Sequence, residues 1–148
     1  MMKPTRTWIL IADGARARVL LNEGPGKGIT AVDGMNFTGS HAATRDIMAD
    51  KPGRSFESVG DTRHALQNPS DPHQLLKQQF VDRIAAIMTE HQSAYDSLII
   101  VSPPATLGMI RKALSKAVAN KVKSELGKDL THTTNTEIAA HLEGVLAI

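Results

Sequence analysis

The chain has 148 residues, 41% hydrophobic and 3% aromatic, and a formal net charge of +2. That length and hydrophobic content fit one ordinary domain, residues 1–148, built around an aliphatic core of Leu, Ile, Val, Met and Ala. The absence of cysteine excludes disulfides, iron–sulfur clusters, thiolate zinc sites and cysteine nucleophiles. No stretch approaches the ~18 apolar residues of a membrane span. The first apolar run, Trp8 to Ala12, is too short for a secretory core. The expectation is a cytoplasmic protein without a membrane partner.

Trp8-Ile9-Leu10-Ile11-Ala12 is a continuous apolar run, as in a strand buried on both faces. Asp13-Gly14 signals a hairpin. Arg16 to Leu21 alternates, with Ala17, Val19 and Leu21 on one face and Arg16 and Arg18 on the other. Gly24-Pro25-Gly26-Lys27-Gly28 is a turn. Ile29 to Phe37 predicts a third strand, with Ile29, Ala31, Met35 and Phe37 at period two and a bulge at Asp33-Gly34. A loop insertion of about thirty residues follows, at about 39–70. Asp71-Pro72-His73-Gln74 then opens a helix whose inner face is Leu76, Phe80, Ile84, Ile87 and Met88. Leu98 to Val101 lacks polar alternation and predicts a central strand beside Trp8–Ala12. Ser102-Pro103-Pro104 opens a second helix with Leu107, Ile110, Leu114 and Val118 inward. A fifth strand falls at Val122 to Leu126. Thr134-Asn135-Thr136-Glu137 is a capping box for a terminal helix carrying Ile138, Leu142 and Val145. The sum is an α/β domain with a mixed five-stranded sheet and three principal helices, in β-β-β-α-β-α-β-α order. Ribonuclease-H-like folds share that order.

Two regions stand out for binding. Loops beyond ~12–15 residues are uncommon in compact domains and are usually functional or disordered. The one here interleaves Arg45, Arg54, Ser55, Phe56, Arg63 and His64 with acids. That mixture suits a phosphate-bearing partner, or a loop tied down by its own ion pairs. From Arg111 to Lys128 the chain carries Arg111, Lys112, Lys116, Lys121, Lys123 and Lys128 against one acid, Glu125. Such a stretch follows a nucleic-acid backbone or is a solvated face.

Catalytic and metal signatures are thin. Asp13 ends the first strand, where ribonuclease-H-like nucleases place a metal-binding carboxylate, but two-metal chemistry needs several convergent carboxylates. The fourth strand ends in Val101-Ser102-Pro103 without one. Asp13 is therefore a turn residue or an ion-pair partner for Arg16 or Arg18. The six histidines show no HxxxH or HExxH spacing, so no metal is expected. Ser55, His64 and Asp61 lie near one another in sequence, which is no evidence for a triad. The glycine-rich turn lacks GxxxxGK[ST] and a following helix. Ser102 and Gly108 mark a candidate anion site, because a helix begins directly after a buried strand and its N–H groups favour negative charge. Pro103 and Pro104 remove two of those donors, and a rigid strand-to-helix corner is the alternative.

The motifs WILIADGARARVL, DKPGRSFES, TRHAL, IVSPPATLGMIRKAL and GKDLTH, in that order, resemble the bacterial host-attachment protein family over nearly the whole chain. Members of that family look like the central domain of eukaryotic and archaeal peptide-chain release factors. In those factors a Gly-Gly-Gln triplet sits between the third strand and the first helix, where this chain has Gly39 to Ser70. No Gly-Gly-Gln occurs here, and Gln67 stands alone after Ala65-Leu66. The resemblance thus implies the position of a contact loop rather than its hydrolytic chemistry.

The expected function is a non-enzymatic RNA- or ribosome-associated factor that needs no cofactor. Arg45, Arg54, Ser55, Phe56, Arg63 and His64 form its contact loop, and Arg111, Lys112, Lys116, Lys121 and Lys123 a second surface. The alternatives are a protein-interaction or regulatory module required for attachment to host cells, and a hydrolase acting on peptidyl-tRNA or another ester.

Overall fold

A computed structural model describes residues 5–39 and 72–146. The contact-loop residues Arg45, Arg54, Ser55, Phe56, Arg63 and His64, like Asp71, lie outside the described residues. The strands are β1 (Thr7–Ala12), β2 (Arg16–Asn22), β3 (Thr30–Thr38), β4 (Ser97–Val101) and β5 (Val122–Leu126). The helices are α1 (Pro72–Glu90), α2 (Pro104–Ala113), α3 (Lys116–Ala119) and α4 (Asn135–His141). A 3-10 turn at Gln92–Ala94 precedes β4.

The five strands form one mixed sheet in the order β3-β2-β1-β4-β5. β1 pairs antiparallel with β2 and parallel with β4, with Leu10 opposite Ile100. This is the neighbour relation expected from the two runs without polar alternation. Every residue of β1, and Leu98 to Val101 of β4, is buried, because each strand has a neighbour on both sides and packed layers on both faces.

Side chains alternate between two cores. Trp8, Leu10, Val19, Leu98 and Ile100 face α1, α2 and α3, where Phe80, Val81, Ile84, Met88, Leu107, Ile110 and Val118 cover them. Ile9, Ile11, Leu20, Ile99 and Val101 face Leu130, Ile138, Leu142 and Leu146. The second cover is short because α4 has seven residues. Its start is fixed by Thr134, whose Oγ1 accepts from the Glu137 N–H at 3.2 Å, the anticipated cap.

Two expectations need correction. The second helix does not run through to Val118. Leu114 leaves α2 in an extended conformation (ψ 141°), and Ser115 starts α3 by accepting from the Val118 N–H at 3.2 Å. Ser115 also touches Thr89 Oγ1 on α1 at 3.4 Å. A serine that can cap a new turn and reach a neighbouring helix competes with continuation. Among the described residues the three principal helices, α1, α2 and α4, are therefore joined by a fourth, the four-residue α3. Leu114 is half-buried, while Leu107, Ile110 and Val118 are buried as expected. In β3, Ala31 is exposed and Val32 packs inward with Met35 and Phe37. The cause is the bulge: Arg18 pairs with Asn36 but Leu20 with Ala31, and Gly34 within the shifted segment has φ 77°. An inserted stretch resets which side chains face the core.

The Gly24–Gly28 turn has an organising residue inside the preceding strand. Asn22 is 1% exposed. Its Nδ2 donates to the carbonyls of Gly24 (3.1 Å) and Gly28 (2.8 Å), and its Oδ1 accepts from the Gly24 N–H (3.0 Å). Gly24, Gly26 and Gly28 all have positive φ, which glycine alone adopts without a steric cost.

Candidate functional site

The carboxyl end of the sheet gathers polar groups around the β1–β2 hairpin. Asp13 Oδ1 accepts from the N–H groups of Ala15 and Arg16, both at 2.7 Å. Asp13 is thus the turn residue of the tight connection. Its other oxygen, Oδ2, lies 3.2 Å from Thr131 Oγ1, and that hydroxyl is 2.7 Å from Asp129 Oδ1. Arg18, one strand away, donates to the Thr131 carbonyl at 2.6 Å and to the Thr133 carbonyl. Burial lowers the pKa of its guanidinium. The result is a strap: Arg18 and Asp13 tie the segment between β5 and α4 onto the second face. A recess of about 130 Å³ remains between Ile11, Arg16, Ala17, Arg18, Asn36 and Thr131.

The same end receives the chain on both sides of residues 40–71. The Gly39 N–H donates to the Ala15 carbonyl at 2.7 Å. On α1, the Lys77 side chain packs over Gly14 so closely that a Cβ there would sit 2.5 Å from Lys77 Cε.

Ser102 sits where β4 gives way to α2. It is fully buried, and its Oγ has no hydrogen-bond partner. The N–H of Leu107 is used by the Pro103 carbonyl at 2.8 Å. Gly108 is half-buried, with open space where a Cβ would stand. Ser102 and Gly108 are thus in different settings, one inside the corner and one beside the helix surface.

The basic stretch resolves into distinct roles. Arg111 forms a two-bond pair with Glu125, Nε to Oε2 at 3.1 Å and Nη2 to Oε1 at 2.5 Å. The hydrogen bonds from Arg111 hold the Glu125 carboxyl below the usual carboxylate range. Lys121 turns to the opposite end of the sheet, where its ammonium donates to the carbonyls of Gln92 and Tyr95 and lies 4.9 Å from the Tyr95 ring centroid. Tyr95 is itself buried, and its hydroxyl donates to the Met88 carbonyl at 2.8 Å. Burial pushes the pKa of that hydroxyl up to about 12. Lys112, Lys116, Lys123 and Lys128 are exposed. Between α2, α3 and β5 lies a groove of about 510 Å³, lined by polar Arg111, Lys123, Ser124 and Glu125 and apolar Leu114, Ala119 and Val122.

Among the described residues no group of three or more His, Cys, Asp or Glu is placed to hold a metal ion. No described helix is long and apolar enough to cross a membrane. Glu125 carries one sequence signal, as the lone acid in a basic run. The strap from Arg18 to Thr131 and Thr133 carries none, since its acceptors are backbone carbonyls more than a hundred residues away.

Residues 8–142 match the family model described as "Protein required for attachment to host cells". No curated protein matches the chain.

Proposed function

From the premise that the chain belongs to the family of proteins required for attachment to host cells, we propose that it is a non-enzymatic binding factor whose partner is RNA, free or within the ribosome. One observation carries this reading: Lys112, Lys116, Lys123 and Lys128, on α2, α3, β5 and the segment after it, are exposed, and the single acid of the sequence between Arg111 and Lys128, Glu125, is already paired with Arg111. Exposed ammonium groups of that kind attract a phosphate backbone without reading its sequence. Arg45, Arg54, Ser55, Phe56, Arg63 and His64, which lie outside the described residues, are the further contact residues of this proposal. A protein partner would call for an exposed apolar patch. Among the described residues Leu75 is the large hydrophobic side chain that stands exposed.

The test is the affinity of the full chain for a short oligouridylate across a salt series. Binding should weaken steeply with salt. Replacing Lys112, Lys116, Lys123 and Lys128 by Ala should flatten the slope of log affinity against log salt by ~0.7 for each phosphate no longer neutralised. No binding at low salt, or an unchanged slope in the quadruple variant, refutes the reading. So does crosslinking in cells that recovers protein partners and no RNA.

A further inference from the structure

Glu125, the one acid of the sequence between Arg111 and Lys128, stands where it competes with the ligand proposed above. A guanidinium offers two parallel N–H groups, which match two oxygens of a carboxylate or of a phosphate equally well. In Arg111 that fork is filled by Glu125, at 3.1 and 2.5 Å. Both side chains line the groove of about 510 Å³ together with Lys123. The pair is not locked by burial: the Arg111 and Glu125 side chains are 58% and 27% exposed. Exposed ion pairs are weak and exchange readily for another anion.

We propose that Glu125 is the specificity-determining residue of this groove: it occupies the Arg111 fork, and a phosphodiester gains that fork only by displacing it. This deepens the RNA reading and rests on it. A free phosphate ion must displace the carboxylate on its own. A polyphosphodiester arrives already held at Lys123, which lines the same groove, so its next phosphate competes at a high effective concentration. The groove therefore rejects small anions and admits polymers. Displacement leaves Glu125 beside the incoming phosphate as a like charge, which penalises weak or partial engagement.

The experiment compares the full-length chain with E125Q, R111A, the R111A/E125Q double variant and E143Q. The last removes an exposed acid on the far side of the sheet. Each is titrated with oligouridylate and with inorganic phosphate across a salt series, and melting curves confirm folding. E125Q should bind oligouridylate about two- to fivefold tighter, the scale of an exposed charge pair. Its salt slope should steepen by ~0.7, one further phosphate neutralised. The gain should vanish in the R111A background, and E143Q should leave affinity unchanged. E125Q should also bind inorganic phosphate measurably better than the unmodified chain does. A gain that survives without Arg111, or that E143Q reproduces, overturns the proposal in favour of a through-space charge effect. Binding by the unmodified chain with no gain in E125Q overturns this inference alone. Absence of RNA binding in every variant overturns both it and the reading beneath it.

Discussion

Replacing Asn22 separates the two jobs its amide performs. Its Nδ2 donates to two carbonyls, at 3.1 and 2.8 Å, and its Oδ1 accepts one N–H at 3.0 Å, from a position 1% exposed. N22A removes all three bonds. At ~1 kcal/mol net per bond, and with the turn partners able to recover some water, the loss should be about 1–3 kcal/mol. N22D keeps the shape and the accepting oxygen but turns the donor into a second oxygen facing the Gly24 and Gly28 carbonyls. Only the protonated acid can donate there. The folded-state pKa of the new carboxyl must therefore rise above its unfolded value of ~3.9. The folded state then binds more protons, so the penalty is full at neutral pH and shrinks as pH falls through the raised value. Urea unfolding of N22A and N22D at several pH values reads this directly. N22D should be the less stable variant at pH 7, by ~1 kcal/mol or more, and should converge on or pass N22A near pH ~4. A pH-independent difference between the two, or an N22D as stable as the parent at neutral pH, refutes the assigned donor geometry.

Ile100→Ala should cost about 2–5 kcal/mol, because a large aliphatic side chain leaves a site with no exposure and sheet neighbours on both sides; an unchanged denaturation midpoint counts against it. Ser102→Ala should be neutral or stabilising by about 1 kcal/mol, since it deletes a buried hydroxyl with no partner; a clear loss of stability would mean the hydroxyl is engaged. The depressed Glu125 carboxyl contributes stability that is present above its unfolded pKa and lost as pH falls through the lower folded value. Arg111→Ala should erase that part of the acid-side stability profile, and an identical profile in the variant would refute the pairing.

The sheet is legible in the sequence where the signal is local. Trp8–Ala12 and Leu98–Val101 announce inner strands because neither has a polar residue to give to water. Asp33-Gly34 announces the bulge but not the size of its shift, so period two points Ala31 inward where the fold uses Val32. The helix break at Leu114 is hidden because Leu114 fits the apolar period. Its cause includes Thr89, twenty-six residues away from Ser115. The candidate site is least legible, because its bonds join distant positions. Arg111 reads as a free cation until β5 brings Glu125 beneath it. Lys121 reads the same way until the turn after α1 supplies two carbonyls.

The sheet's irregularities fall at its margins. Register slips occur in the β2–β3 and β4–β5 ladders, while β1 pairs evenly with both of its neighbours. Among the described residues the outermost strands, β3 and β5, are therefore the interrupted ones, and β5 adds an exposed Lys123. A kinked, charged border is a poor template for another strand, whereas a flat one recruits copies of itself. Borders interrupted in this way disfavour edge-to-edge pairing between copies. Removing Lys123 to straighten β5 should cost solubility in concentrated solution before it costs the fold.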